Sequence, residues 1–101
     1  MKFNNELSDA QAERLAILLE EMGEAQQAIG KILRHGLHSW NPTVVGTGTN
    51  QDDLARELGD VKFAIQLLTD AGDVSNTDIN AQMWKKTDKV QRYLHHQGEE
   101  K

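Results

Sequence analysis

No cysteine occurs in the chain, so neither a disulfide framework nor a thiolate metal site is open to it, and a reducing compartment suits it. Proline occurs once, and it falls, with most of the glycines, between or at the ends of segments of helical periodicity. Long hydrophobic runs are missing too. The longest, "LAILL" at residues 15–19, is far too short to span a bilayer, and "MKFNNELSDA" has no apolar signal core. Basic residues are outnumbered, 11 Lys and Arg against 16 Asp and Glu, for a net charge of −5. That balance argues against broad contact with a nucleic-acid backbone, which needs a basic face. Together these absences predict a soluble cytoplasmic protein that engages neither nucleic acid nor membrane. Low-complexity sequence is absent as well.

What is present fits one domain over residues 1–101, near the size at which a single core suffices without staples. Three segments repeat with helical period, and an all-α fold follows. Helix 1 is expected over about 8–35: "SDAQ" makes a capping-box pattern from Ser8 to Gln11, Leu7 can staple the entry, and Gly36 follows the end. Helix 2 is expected over about 51–71, with Asp52 and Asp53 at the positive end of its dipole and Gly72 as its stop. Helix 3 is expected from within "SNTD", over about 77–97. The connection "GLHSWNPTVVGTGTN", about fifteen residues over 36–50, exceeds the usual length in a bundle, and such loops tend to be functional or disordered.

An internal echo links the first two helices: "EMGEA" at 21–25 and "ELGDV" at 57–61 share the order acid, large apolar residue, Gly, acid, small apolar residue. Glycine inside a helix costs roughly 1 kcal/mol relative to Ala, a cost that something should offset. On a wheel of about 100° per residue, Leu15, Leu18, Met22, Ala25, Ile29, Ile32 and Leu33 form one broad apolar stripe. Glu21 projects between Ile17 and Ile32, and Glu24 just beyond Ile17. In helix 2 the stripe is Leu54, Leu58, Val61, Ile65 and Leu68, with Glu57 between Leu68 and Ala64 and Asp60 on its flank.

Each acid pair is spaced i,i+3, so its two side chains share a face. Antiparallel packing through the stripes would bring four carboxylates together, where mutual repulsion calls for a neutralising cation. Hard divalent ions prefer oxygen ligands, and Mg²⁺ characteristically takes a few carboxylates while keeping waters for a substrate phosphate. Acid pairs at this spacing are also common on solvated helix faces, and that bland reading competes with the metal cage. A di-iron carboxylate site is disfavoured because no Glu has a His three places on.

"EEMGE" at 20–24 followed by "ELGD" at 57–60 on a second helix resembles the EExxE and ExxD signature of the MazG-like all-α nucleoside triphosphate pyrophosphohydrolases, a superfamily with dimeric dUTPases and dCTPases among its members. The similarity extends from about Ala12 through helix 3. "GKILRHG" at 30–36 is similar to short stand-alone members, many of them from bacteriophages. The resemblance implies a MazG-like fold whose three main helices form part of an oligomeric four-helix-type bundle. It also implies that Glu21, Glu24, Glu57 and Asp60 bind Mg²⁺, with Mn²⁺ as an alternative, and that Glu20 matches the leading acid, for water activation or support of the ligands. Glu20 and Glu21 are thus the expected catalytic acids. The stretch between the two motifs is somewhat long, which bears on the substrate-side loop.

A triphosphate would be repelled by four bare carboxylates, so bound cations must invert the local sign before it docks. Water attack in line at the α-phosphorus would then release a monophosphate and pyrophosphate, by positioning and charge stabilisation. For phosphate contacts the resemblance favours Lys86 and Lys89 on helix 3, where Met83, Val90 and Leu94 mark an expected buried stripe. Lys85 and Arg92 are weaker choices. Lys31 and Arg34 are further choices, though either can instead serve the negative end of the helix dipole. His38 and Trp40, with His35, are candidates for stacking on the base. Trp84 is expected in the core, and His95 and His96 carry no expected role. Ala16, Gly23 and Gly30 recur every seven residues, a small-residue stripe that permits close approach of another helix, so a homo-oligomer, dimer or tetramer, is expected.

A rival from another class is a non-catalytic helical oligomerisation module whose acid pairs are solvated. A third reading is a paralogue that binds nucleotide without turning it over.

Overall fold

Serine and threonine start the helices. In the computed structural model, which describes residues 5–39 and 48–99, α1 spans Asp9–His35, α2 Asn50–Ala71 and α3 Asn76–Val90, with a 3₁₀ turn at Gln91–Tyr93. Ser8 caps α1 through the expected box: its hydroxyl accepts from the Gln11 N–H at 3.0 Å, and the Gln11 side chain accepts from the Ser8 N–H at 2.9 Å. Helix α2 opens at Asn50 by a second box that the sequence reading lacked, Thr49 with Asp52. Gly72, at φ 82°, ends it in the left-handed conformation that glycine takes without strain. The fold is all-α.

Helices α1 and α2 form an antiparallel hairpin. At one end the Gly36 carbonyl accepts from Asn50 Nδ2 (3.2 Å), and the Asn50 and Gln51 N–H groups donate to the carbonyls of Ser39 (2.8 Å) and Leu37 (2.9 Å). At the other end Arg14 donates from Nε and Nη2 to the two carboxylate oxygens of Asp73, at 2.6 and 3.0 Å, clamping the turn that follows α2 onto the start of α1. The contact holds the Asp73 carboxyl below its ordinary range. We expect Arg14→Ala and Asp73→Asn each to lower the melting temperature, and the double variant to be no less stable than the worse single, since both remove one bond pair. Additive losses in a thermal melt would show that the two act separately.

Small residues fill the seam. Among the described residues the buried apolar side chains are Ala25 and Ala28 on α1 and Ala64 and Leu68 on α2, with Ala64 fully inaccessible. The stripe expected on α1 is covered only in part: Ala25 is buried and Leu18 and Ile32 half-buried, whereas Leu15, Met22, Ile29 and Leu33 are exposed, Leu33 at 82%. One neighbouring helix covers only a sector of α1, and this stripe is wider than that sector. Helix α2 repeats the pattern, with Leu58 exposed beside half-buried Leu54, Val61 and Ile65.

Helix α3 departs from expectation. It does not continue to about residue 97 but ends at Val90, and beyond the 3₁₀ turn the backbone is extended at Leu94. Weak helix formers (Tyr93, His95, His96) follow, and no packed face sustains another turn. The expected buried stripe of Met83, Val90 and Leu94 does not form: no α3 residue is buried, Met83 is 56% exposed and Leu94 46%. Trp84, expected in the core, is 68% exposed. Among the described residues α3 makes its one extensive contact with the turn that continues it. No helix of the described residues is long and apolar enough to cross a membrane.

Candidate functional site

Glu21 and Glu57 lie half-buried at the seam, with Asp60 on its exposed flank. Because the hairpin is antiparallel, Glu21 comes opposite Asp60 and Glu24 opposite Glu57, and the alanines around them let the two backbones close enough for short carboxylates to meet. One oxygen from each of Glu21, Glu24, Glu57 and Asp60 lies within 4.8 Å of all the others. Glu21 and Glu57 are half-buried, and Asp60 is exposed.

Electrostatics is strained there. Burial pushes the Glu21 carboxyl above its ordinary range, and repulsion from Asp60, Glu20 and Glu57 adds to this against a lowering contact with Glu24. Burial also raises Glu57, assisted by the hydrogen bond and charge of Glu24 and by Asp60, with Arg56 opposing. Each of these two residues keeps one oxygen, Oε2, that is buried with no hydrogen-bond partner among the described residues. Such orphaned acceptors cost stability in a folded protein unless something satisfies them.

A hard divalent cation fits this donor set. All four groups are carboxylates, and neither thiolate nor imidazole joins them, which suits Mg²⁺ or Mn²⁺ over softer metals. Ligands on opposite sides of Mg²⁺, each at about 2.1 Å, stand about 4.2 Å apart, within a small side-chain adjustment of the observed spread. A cation would also supply what the two orphaned oxygens lack.

The other expected site residues are dispersed. Glu20 is exposed on α1, and its charge registers on Glu21. Lys31 joins Glu24 and Glu57 in a pocket of about 260 Å³ between α1 and the start of α2. Arg34 lies instead, with Lys31, along a wider hollow of about 610 Å³ lined by Gly23, Gln26, Gln27 and Gly30 on the outer side of α1. His38 is exposed beyond the end of α1, and Trp40 lies outside the described residues. Lys86 and Lys89 stand on the exposed surface of α3, lining neither hollow.

Sequence reasoning missed the four other polar residues of the 260 Å³ pocket, Gln27, Asn50, Asp53 and Arg56. A signal existed for three of them. Gln27 follows Glu24 at i+3, and Asn50, Asp53 and Glu57 fall at i, i+3 and i+7, so each acid face continues toward the same end of the hairpin.

The family model for the MazG nucleotide pyrophosphohydrolase domain matches residues 10–95. No curated protein and no solved structure gives a match.

Proposed function

Since this chain belongs to the MazG nucleotide pyrophosphohydrolase family, we propose that it is an Mg²⁺-dependent hydrolase that converts a nucleoside triphosphate into a nucleoside monophosphate and pyrophosphate. The observation that carries this reading is the convergence of four carboxylates, two with orphaned buried oxygens, at one point of the seam. Glu21, Glu24, Glu57 and Asp60 hold the cation, Mn²⁺ serving in place of Mg²⁺. When bound, it supplies positive charge to the phosphoryl oxygens and lowers the pKa of a coordinated water.

The chain's own residues do the rest. The two helices present their acids at a fixed spacing, so a docked triphosphate meets a preformed site and catalysis rests on positioning. Water adds to the α-phosphorus as the α–β anhydride bond breaks and pyrophosphate departs; the proton released passes to Glu20 or Glu21. Lys31, Arg34, Lys86 and Lys89 are the proposed phosphate contacts.

The enzyme works as a homo-oligomer in this proposal. Leu15, Leu19, Met22, Ile29 and Leu33 leave a large apolar face of α1 uncovered, and Trp84 and Met83 another on α3, more than a monomer ordinarily exposes. A Cβ added at Gly23 or Gly59 would meet nothing within 4 Å among the described residues, so nothing described in one protomer offsets the helix cost of these glycines.

A panel of ribo- and deoxyribonucleoside triphosphates with Mg²⁺, read for monophosphate and pyrophosphate and run beside a sedimentation measurement, tests the proposal. Pyrophosphate in step with monophosphate, from a species heavier than a protomer, is expected. Orthophosphate with a diphosphate would refute attack at the α-phosphorus. Absence of any turnover, with binding retained, would favour the nucleotide-binding paralogue.

A further inference from the structure

Of the pocket beside the acid cluster the proposed function uses Glu24, Glu57 and Lys31, and it leaves Arg56, Gln27 and Asn50 without a role. Two cations, Lys31 from α1 and Arg56 from α2, share the pocket with the amides of Gln27 and Asn50, the carboxylates of Glu24, Asp53 and Glu57, and one apolar residue, Ala28. It is continuous with the metal cluster through Glu24 and Glu57. Its volume, about 260 Å³, admits a diphosphate group with its waters.

We infer that this pocket is the pyrophosphate subsite: Lys31 and Arg56 receive the two outer phosphates of a triphosphate and hold pyrophosphate as it leaves. This rests on the proposed hydrolysis and goes beyond it by giving the substrate a direction along the seam.

Charge and shape decide the ligand class. With Glu24 and Glu57 committed to a cation, the remaining charged groups are Lys31, Arg56 and Asp53, a net positive lining next to the metal. A nucleobase needs flat apolar or aromatic walls for its two faces, and Ala28 alone does not provide them. A chain of phosphates needs charge-assisted donors, which Lys31, Arg56, Gln27 and Asn50 can offer.

The α2 N-terminus is not the anion site. Its first four N–H groups are taken: Asn50 donates to Ser39 O, Gln51 to Leu37 O, Asp52 to Thr49 Oγ1 and Asp53 to Thr49 O. The side-chain cations must therefore carry the binding. Arg56 is held ready by Asp53, whose Oδ1 accepts from its Nη2 at 3.0 Å, while the Arg56 side chain stays 55% exposed and able to turn to a ligand. The direction that follows places the outer phosphates toward Gly36 and Asn50. The nucleoside then extends past Glu21 and Asp60, away from His38, in contrast to the expected stacking of the base on His38 and Trp40.

The test is calorimetric binding of pyrophosphate to the full chain in excess Mg²⁺, with a nucleoside monophosphate as comparison. Lys31→Ala and Arg56→Gln are each expected to weaken pyrophosphate about ten- to a hundredfold and to leave the monophosphate within a few-fold. Arg56→Lys should recover part of the loss, which separates charge from fold. If wild type binds no pyrophosphate, or both variants bind it as wild type does, the subsite assignment is overturned. That result in a chain that still hydrolyses triphosphates leaves the proposed function standing, whereas loss of that function shows first in the triphosphate panel.

Discussion

Glu21→Gln is expected to reduce triphosphate turnover by about 10²- to 10³-fold while making the metal-free protein more stable. The two effects have one cause. The amide is nearly the shape of the carboxylate but carries no charge, so it weakens a cation's hold and withdraws stabilisation from the phosphoryl transfer, where one such electrostatic contact typically contributes that factor. In the absence of metal the same change relieves repulsion from Asp60, Glu20 and Glu57 and removes a charge that burial disfavours. Asp60→Asn, on the opposite helix, should behave alike, and the double variant should lose little more activity than either single, because the ligands act as a unit. Steady-state kinetics and a metal-free melt on the same preparations check both halves. A variant that keeps near-wild-type turnover would rule out the carboxylate cage as the catalytic centre, and with it the hydrolase reading in favour of a module with solvated acids.

Millimolar Mg²⁺ should stabilise the wild-type chain strongly, and the gain should grow with pH. At a concentration a hundred times its dissociation constant a ligand that binds only the native state contributes about 2.7 kcal/mol. At about 4–8 °C per kcal/mol for a domain of this size, the melting temperature should rise by roughly 10–20 °C. The pH dependence follows from the direction of each carboxyl shift. Glu21 and Glu57 have raised values in the native state, so between the unfolded value, about 4.3, and those raised values the native state holds more protons than the unfolded one. Stability of the metal-free chain therefore falls as pH rises through that window, and it recovers on acidification. Asp52, lowered by its bonds with Thr49, and Asp73, lowered by Arg14, act in the opposite sense. Their contribution is present above the unfolded carboxylate value and is lost as pH falls through their lowered native values. The two sets of shifts thus place the metal-free optimum near the ordinary carboxylate values, well on the acid side of neutral. Protons compete with Mg²⁺ for Glu21 and Glu57, so the metal shift is smallest there and larger at pH 7 and 8. Melts across this range at fixed protein concentration, with NaCl matched for ionic strength, provide the check. A Mg²⁺ shift no larger than that of NaCl would leave the acids as a solvated cluster.

Local order made much of this legible in the amino-acid sequence. The Ser8–Gln11 box, the stop at Gly72 and the i,i+3 placement of Glu21 with Glu24 and Glu57 with Asp60 depend on residues within one or two helical turns, so reading along the chain suffices. The matching stripes allowed an antiparallel pairing, and the contacts Arg14–Asp73 and Gly36–Asn50 at its two ends show that pairing. The width of the α1 stripe was visible as well, but not which half of it α2 covers, because periodicity reports a direction around a helix and not the neighbour that meets it. For α3 the same reasoning failed: Met83, Val90 and Leu94 have core spacing, yet among the described residues α3 packs extensively only against the turn that continues it.

The residues alone determined α1 and α2, the Ser8 cap and the face on which the acids stand, since these are set by bonds between near neighbours. Tertiary structure decided the register that puts Glu21 opposite Asp60, the Arg14–Asp73 clamp across 59 positions of chain, and the pocket in which Lys31 meets Arg56. Each of these joins side chains whose separation is fixed only when two helices settle against one another on a seam of alanines, and no repeat in the sequence encodes that distance.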